Sequence, residues 1–212
     1  MFRAIDEEKN TVYISNADNN SKYFCSGCGA NLGIRAGKTE KMRRHFYHLY
    51  GNDCSYAIDH DMSEWHFQWQ EQFPEQYREI PLPASHPQHR ADICIGNRII
   101  EFQHSPISEE DFNSRNQFYI SNGFELTWVF DKNERIKGFT SDGLYLRRRD
   151  NLFKGYDLRS SCFALLFEIG NMLYWIDHMD EKTGRYIVCG IIGKDQFIRI
   201  FDEKKTYLKS YI

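Results

Sequence analysis

The dipeptide Gly96-Asn97, flanked by two β-branched runs, constrains the fold more than any other part of the chain. Glycine and asparagine at this spacing are typical of a two-residue β-hairpin turn. A hairpin closed there places Ile93 opposite Ile100, and Asp92 opposite Glu101. Strand alternation then predicts a polar face and an apolar face. The polar face carries Arg90, Asp92, Glu101 and Gln103, and the apolar face carries Ala91, Ile93, Ile95, Ile100 and Phe102.

The two opposed carboxylates predict a bound cation. Directly opposed strand residues have Cβ atoms about 4.5–5.5 Å apart, and like charges at that distance destabilise a sheet. A cation between Asp92 and Glu101 would remove the repulsion. The alternative is a solvent-exposed hairpin edge that tolerates both acids, and spacing alone leaves the two interpretations open.

The residues around the hairpin resemble two nested groups of proteins. Asp92, eight further residues and then Glu101-x-Gln103 resemble the Asp…Glu-x-Lys motif of the PD-(D/E)XK nuclease superfamily. The stretch Glu101-Phe-Gln-His-Ser-Pro-Ile-Ser108 is similar to a segment of the competence protein CoiA-like family. Further matches to that family follow the same order along the chain: Phe24-Cys-Ser-Gly-Cys28, His45-Phe-Tyr-His48, Ser63-Glu-Trp-His66, Arg115-x-x-x-Tyr119 and Trp128-Val-Phe130.

The resemblance implies an α/β, restriction-endonuclease-like core that hydrolyses phosphodiester bonds in DNA, during natural transformation, recombination or defence. Asp92 and Glu101 would bind Mg²⁺, which prefers oxygen ligands. Gln103 would orient the attacking water, and His66 would assist.

The chain departs from the family pattern at two positions. Gln70 stands where the family usually has a lysine, and Met62 stands where it has an acid, which leaves Glu64 as the substitute to consider. Gln103 can orient water by hydrogen bonding but carries no charge. No neighbouring lysine supplies that charge, so an alternative function is a zinc-stabilised DNA-binding protein that recruits recombination or defence proteins without cutting.

The pair Cys25-x-x-Cys28 predicts a metal-binding knuckle, because two intervening residues allow both thiolates to reach one ion. His48 and Cys54 are the preferred remaining ligands of a structural Zn²⁺ site. A site that uses His45 and His48 is the alternative. The sequence around the cysteine pair shows no thioredoxin-like pattern of strand and helix, which argues against a redox role.

Three regions follow from these motifs: a zinc-finger-like N-terminal module over 1–60, a nuclease-like core over 61–150 and a small β-rich appendage over 151–212. A capping box at Asp61–Glu64 predicts the first core helix. Ser108 predicts the start of a second helix that ends at Asn122-Gly123.

Spacing assigns side chains within these elements. Trp65, Trp69 and Phe73 form a core stripe on the first helix. His66 and Gln70 form a separate polar line, which either faces the site or packs within the fold. A crossover leads from the second helix to a buried strand, Leu126–Phe130. The appendage is predicted to contain strands at Phe163–Ile169, Leu173–Ile176, Tyr186–Ile192 and Phe197–Phe201, and its role as part of the core, a DNA contact or a partner contact stays open.

Composition agrees with a cytoplasmic protein. No apolar run approaches the ~18 residues of a membrane span, and six cysteines without a secretion signal argue against a disulfide framework. With a net charge of −3, DNA binding requires local positive potential. There are two candidate basic clusters, Lys38, Lys41, Arg43 and Arg44, and Arg147–Arg149. The alternative for each cluster is a run of solvated charges that binds nothing.

Overall fold

The N-terminal residues form a small antiparallel sheet. The computed structural model describes residues 1–36, 43–49, 63–82, 89–147 and 164–202. Five strands lie in the order β2-β1-β3-β4-β5. Tyr23 and Phe46, which belong to two of these strands, are buried in the core of this sheet. Their bounds are Arg3–Ile5 for β1, Thr11–Tyr13 for β2, Tyr23–Phe24 for β3, Asn31–Arg35 for β4 and His45–His48 for β5.

A nine-stranded mixed sheet forms the rest of the described structure. Its strands are β6 (Arg78–Leu82), β7 (His89–Ile95), β8 (Arg98–Gln103), β9 (Glu125–Asp131), β10 (Ile136–Phe139), β11 (Gly143–Leu146), β12 (Ala164–Ile169), β13 (Met172–Asp180) and β14 (Arg185–Gly193). Their order is β10-β11-β14-β13-β12-β9-β8-β7-β6. The pairs β8–β9 and β9–β12 are parallel, and the others are antiparallel.

Helices cover both faces of this sheet. They are α1 (Glu64–Glu71), α2 (Glu109–Ser121) and α3 (Lys194–Asp202). On one face, Phe112 and Tyr119 of α2 pack against strand residues that include Trp128. On the other face, Trp69 of α1 and Phe197 of α3 pack with strand residues. Because helices lie on both sides, consecutive residues of a central strand are buried, as a sheet with parallel pairs requires.

The local predictions for the hairpin and helices are largely confirmed. Gly96 has φ +64°, and the β7–β8 ladder pairs Ile93 with Ile100 and Ile95 with Arg98. Ser108 caps α2 by accepting a hydrogen bond from the Asp111 N–H. For α1, however, Ser63 is the N-cap, and Asp61 of the predicted capping box lies outside the described residues.

Ala91 does not share the face of Ile93 and Ile95, so that part of the alternation prediction was wrong. Ala91 packs in the cluster beneath α2, whereas the two isoleucines pack beneath α1 and α3. Between them lies Asp92, and in the neighbouring strand Glu79 has φ +51°. A left-handed residue inside a ladder marks a local irregularity, and the strand changes face there.

The described residues of the predicted C-terminal region, 164–202, are part of the core, which was one of the alternatives left open: β12 pairs in parallel with β9 and continues the nine-stranded sheet. The strand predicted at Phe197–Phe201 was wrong, since this segment belongs to α3. Phe197, Ile200 and Phe201 are buried at helical spacing, and a short apolar run does not distinguish strand from helix by itself.

A buried carboxylate ties this added strand to α1. Glu168 of β12 is 1% exposed, and it accepts hydrogen bonds from Trp65 Nε1 at 2.7 Å and from Trp69 Nε1. Lys194, at the start of α3, forms an ion pair with the same carboxylate. The predicted aromatic stripe of α1 is therefore a core stripe whose polar atoms also have a partner.

Candidate active site and metal-binding group

Asp92 lies just beyond the regular part of the hairpin ladder. The described pairs extend from the turn to Ile93 and Ile100. At the next position Asp92 Oδ2 accepts a hydrogen bond from the backbone N–H of Phe102, at 2.8 Å. The carboxylate is thus fixed against β8, beside Glu101.

The polar line of α1 reaches Asp92. His66 Nε2 lies 3.0 Å from Asp92 Oδ1, and Gln70 Nε2 lies 3.5 Å from the same oxygen. The Ser63 hydroxyl accepts a hydrogen bond from the His66 N–H at 3.2 Å, which sets the start of the helix. His66 and Asp92 are 18% and 16% exposed at the side chain, so solvent screens their interaction only in part.

Burial and charge oppose each other in this pair. Burial alone would raise the pKa of Asp92, but His66 and the Phe102 N–H hold that pKa below its ordinary value. Burial would likewise lower the pKa of His66, yet Asp92 raises it above its ordinary value. The pair is stabilised in its ionised form.

Glu101 is buried on the α2 side of β8. Its two oxygens each have a donor: Tyr119 donates to Oε1 at 2.6 Å, and Arg115 Nη1 donates to Oε2 at 2.9 Å. Burial, and next the Asp92 carboxylate, raise the pKa of Glu101 to about 7, although Arg115 and Tyr119 act in the opposite direction. A 1% exposed acid excludes the alternative of a solvent-exposed hairpin edge.

Gln103 ends β8 two residues beyond Glu101, and strand alternation places both on one side. Its side-chain amide donates to the Ser105 carbonyl at 2.7 Å and is partly exposed. The amide is therefore oriented by the following loop.

Two groups complete this acidic centre and were missed as site residues by sequence reasoning. Arg115 and Tyr119 were noted only as a family motif, although their four-residue spacing on one helix face was a usable signal. Glu79 is 2% exposed, accepts a hydrogen bond from the Phe2 N–H at 2.6 Å and lies 3.8 Å from Arg90. Its charge also raises the pKa of His66. No local pattern in the sequence identifies Glu79.

The cysteine knuckle and one histidine converge in the N-terminal sheet. The ligand atoms of Cys25, Cys28 and His48 all lie within 4.8 Å of one another. Cys28 Sγ is 3.5 Å from His48 Nε2. The tight turn is closed by a hydrogen bond from the Gly29 N–H to the Cys25 carbonyl, and Gly29 has φ +73°.

His48, rather than His45, is the histidine that joins the cysteines. The two are three residues apart on β5, so they point to opposite sides of the strand. His45 Nδ1 instead lies 2.8 Å from the Arg43 carbonyl oxygen. Cys54, the predicted fourth ligand, lies outside the described residues. Thiolate and imidazole groups are donors that suit a metal such as zinc.

The described members of the first basic cluster make internal contacts. Arg43 forms ion pairs with Glu64 at 2.7 Å and Glu71 at 3.3 Å, and its guanidinium lies over the Phe67 ring. Arg44 donates to the carbonyl oxygens of two N-terminal residues. Arg43 thus joins the N-terminal sheet to α1, whereas Arg44 holds the segment that follows β2. The other members, Lys38 and Lys41, lie outside the described residues, as do Arg148 and Arg149 of the second cluster.

Comparison with known proteins gives two family matches. The model of the competence protein CoiA nuclease-like domain matches residues 64–179, and the model of the CoiA N-terminal domain matches residues 6–57. No curated protein and no solved structure matches the chain. Among the described residues, no helix has the length and apolar character needed to cross a membrane. The first match spans more than half of the chain, its residues include the acidic centre, and the chain therefore belongs to the competence protein CoiA family.

Proposed function

We propose that this protein is a Mg²⁺-dependent DNA nuclease with a PD-(D/E)XK, restriction-endonuclease-like core. The observation that carries the proposal is the juxtaposition of Asp92, which His66 contacts from α1, with the buried Glu101, which Arg115 and Tyr119 contact from α2. Burial, and next the charge of Asp92, raise the pKa of Glu101 to about 7, which is an unfavourable arrangement for a purely structural site. A divalent cation with oxygen ligands would relieve this repulsion.

Each residue of the centre has a role in this reaction. Asp92 and Glu101 would hold Mg²⁺, which when bound supplies positive charge that stabilises the scissile phosphate. Gln103, whose amide is oriented by the Ser105 carbonyl, positions the attacking water. His66 holds Asp92 in its ionised form and assists proton transfer.

The decisive test is cleavage of a labelled DNA duplex and a labelled single strand by purified protein, with Mg²⁺ or with EDTA. The parent should cut only with Mg²⁺, and Asp92→Asn should abolish cleavage because the amide carries no negative charge. Glu125→Gln, at an exposed acid at the start of β9, is the matched control and should cut normally. Equal cleavage by the parent and Asp92→Asn would place the chemistry elsewhere.

We infer further that Cys25, Cys28, His48 and Cys54 bind a structural Zn²⁺ that stabilises the N-terminal sheet. The convergence of the first three ligand atoms supports this set. A site with four protein ligands has no open position for catalysis. The zinc would therefore contribute to folding and to placement of DNA.

A second candidate function is a DNA-binding or recruiting protein that does not cut. The uncharged Gln103 at the position of the superfamily lysine favours it. Its recombination or defence partners would bind a protein–DNA complex. This function predicts that the protein binds DNA in a mobility-shift measurement but does not cut it in the presence of Mg²⁺. The cleavage assay described above, run beside that measurement, tests both points.

A further inference from the structure

The acidic centre contains a positive charge that no motif assigned to catalysis. Arg115 Nη1 donates to Glu101 Oε2 at 2.9 Å, and its guanidinium is always positively charged. The side chain of Glu101 is 2% exposed, whereas that of Arg115 is 39% exposed. The guanidinium thus lies between the buried acids and solvent.

The contacts of Arg115 leave part of its hydrogen-bonding capacity available. A guanidinium has five N–H donors in a fixed planar fork. Within the residues that the structure describes, the recorded bond uses Nη1 alone and ends on Glu101. Tyr119, one turn further along α2, donates to the other oxygen of Glu101, so Arg115 needs only its Nη1 to complete the contacts of that carboxylate.

We propose that Arg115 is a catalytic residue that contacts a non-bridging oxygen of the scissile phosphate. The inference rests on the proposed nuclease function. When water attacks phosphorus, a new P–O bond forms and the water gives up a proton to solvent, while the bond to the leaving oxygen breaks and that oxygen takes up a proton from solvent. Negative charge increases on the non-bridging oxygens as this happens. Arg115 can keep Nη1 on Glu101 and direct Nη2 to that charge, since forked donors suit phosphate. It supplies the charge that Gln103 lacks.

A purely structural role predicts different behaviour. If Arg115 only neutralises Glu101, its removal should change the stability of the fold and the Mg²⁺ concentration needed for activity. Saturating Mg²⁺ would then restore the rate. A phosphate contact predicts a loss of kcat that saturating Mg²⁺ does not restore.

The test compares Arg115→Gln, Arg115→Lys and Arg115→Ala with the parent, and Arg199→Gln is the control at an exposed arginine of α3. Gln retains a donor for Glu101, and melting curves confirm folding. We expect kcat of Arg115→Gln to fall about 100-fold at saturating Mg²⁺, as for loss of one transition-state donor. Arg115→Lys should recover only part, because lysine lacks the fork.

Two further measurements separate the roles. Millimolar guanidinium should raise the cleavage rate of Arg115→Ala at least tenfold and leave Arg199→Gln unchanged. DNA binding measured by fluorescence anisotropy with Ca²⁺ should weaken at most about threefold in Arg115→Gln, since the contact strengthens mainly in the transition state.

The outcomes also distinguish this inference from the function on which it rests. A parent that does not cut DNA overturns both. A parent that cuts and depends on Asp92, together with an Arg115→Gln variant of normal kcat at saturating Mg²⁺, overturns only the role of Arg115. A folded Arg115→Ala variant that guanidinium does not rescue also overturns only the role of Arg115.

Discussion

Replacing Glu101 with glutamine should change how the stability of the protein depends on pH. The folded protein raises the pKa of this acid from its ordinary 4.5 to about 7. An acid with a raised folded pKa binds its proton more tightly in the folded state, so it lowers the free energy of unfolding as pH rises from about 4.5 to 7. Above that range the penalty is constant.

The size of the penalty follows from the shift. One pKa unit corresponds to about 1.4 kcal/mol, so the difference between 4.5 and about 7 costs about 3 kcal/mol in the metal-free protein at pH 8. Glu101→Gln has no such titration, although its amide cannot satisfy both Tyr119 and Arg115. The loss of a hydrogen bond is independent of pH, and comparing two pH values therefore removes it.

Urea unfolding of the parent and Glu101→Gln in EDTA, at pH values from 4.5 to 8, measures the effect. The stability of the variant relative to the parent should increase by about 3 kcal/mol over this range. Mg²⁺ should raise the stability of the parent more at pH 8 than at pH 6, because the cation prefers the ionised acid. If the free energies of unfolding of the two proteins in EDTA differ by the same amount at every pH, the raised pKa of Glu101 is refuted.

Three further predictions concern the rest of the molecule. Cys25→Ser should lose bound zinc in elemental analysis and destabilise the N-terminal sheet, and retention of one zinc per chain by the variant would contradict the assigned ligands. Glu168→Ala should destabilise the fold by about 3–5 kcal/mol in chemical denaturation, because Lys194 and two indoles lose a buried partner, and a change below 1 kcal/mol would contradict this. Phe197→Ala, which removes a fully buried ring of α3, should cost about 3–5 kcal/mol, whereas the exposed Ile191→Ala should cost much less.

Features that depend on neighbouring residues could be predicted from the sequence. Gly96-Asn97 predicts the hairpin and its register because two positions determine the turn. Ser108 and Asn122-Gly123 mark both ends of α2 by the same kind of local chemistry. The line of His66 and Gln70 follows from helical spacing, and the structure brings it to Asp92.

Features that depend on distant packing could not be predicted in this way. Ala91 lies on the opposite face because of an irregularity beside Glu79, in another strand. The place of β12 beside β9 depends on a parallel pairing that no short pattern encodes. Glu101 is buried because Arg115 and Tyr119 cover it from α2, so its environment becomes known only when the helix is placed on the sheet.

The pairing of β12 with β9 has a consequence during synthesis of the chain. Trp128, Val129 and Phe130 of β9 are almost fully buried, and their strand pairs with β12 along one side. Until Ala164–Ile169 has left the ribosome, β9 is an unprotected edge strand that can pair with another nascent chain. Translation at about 5–20 residues per second keeps that edge open for a few seconds. Chaperones that shield apolar strands would therefore be needed most in this interval, after every residue of the acidic centre has already been made.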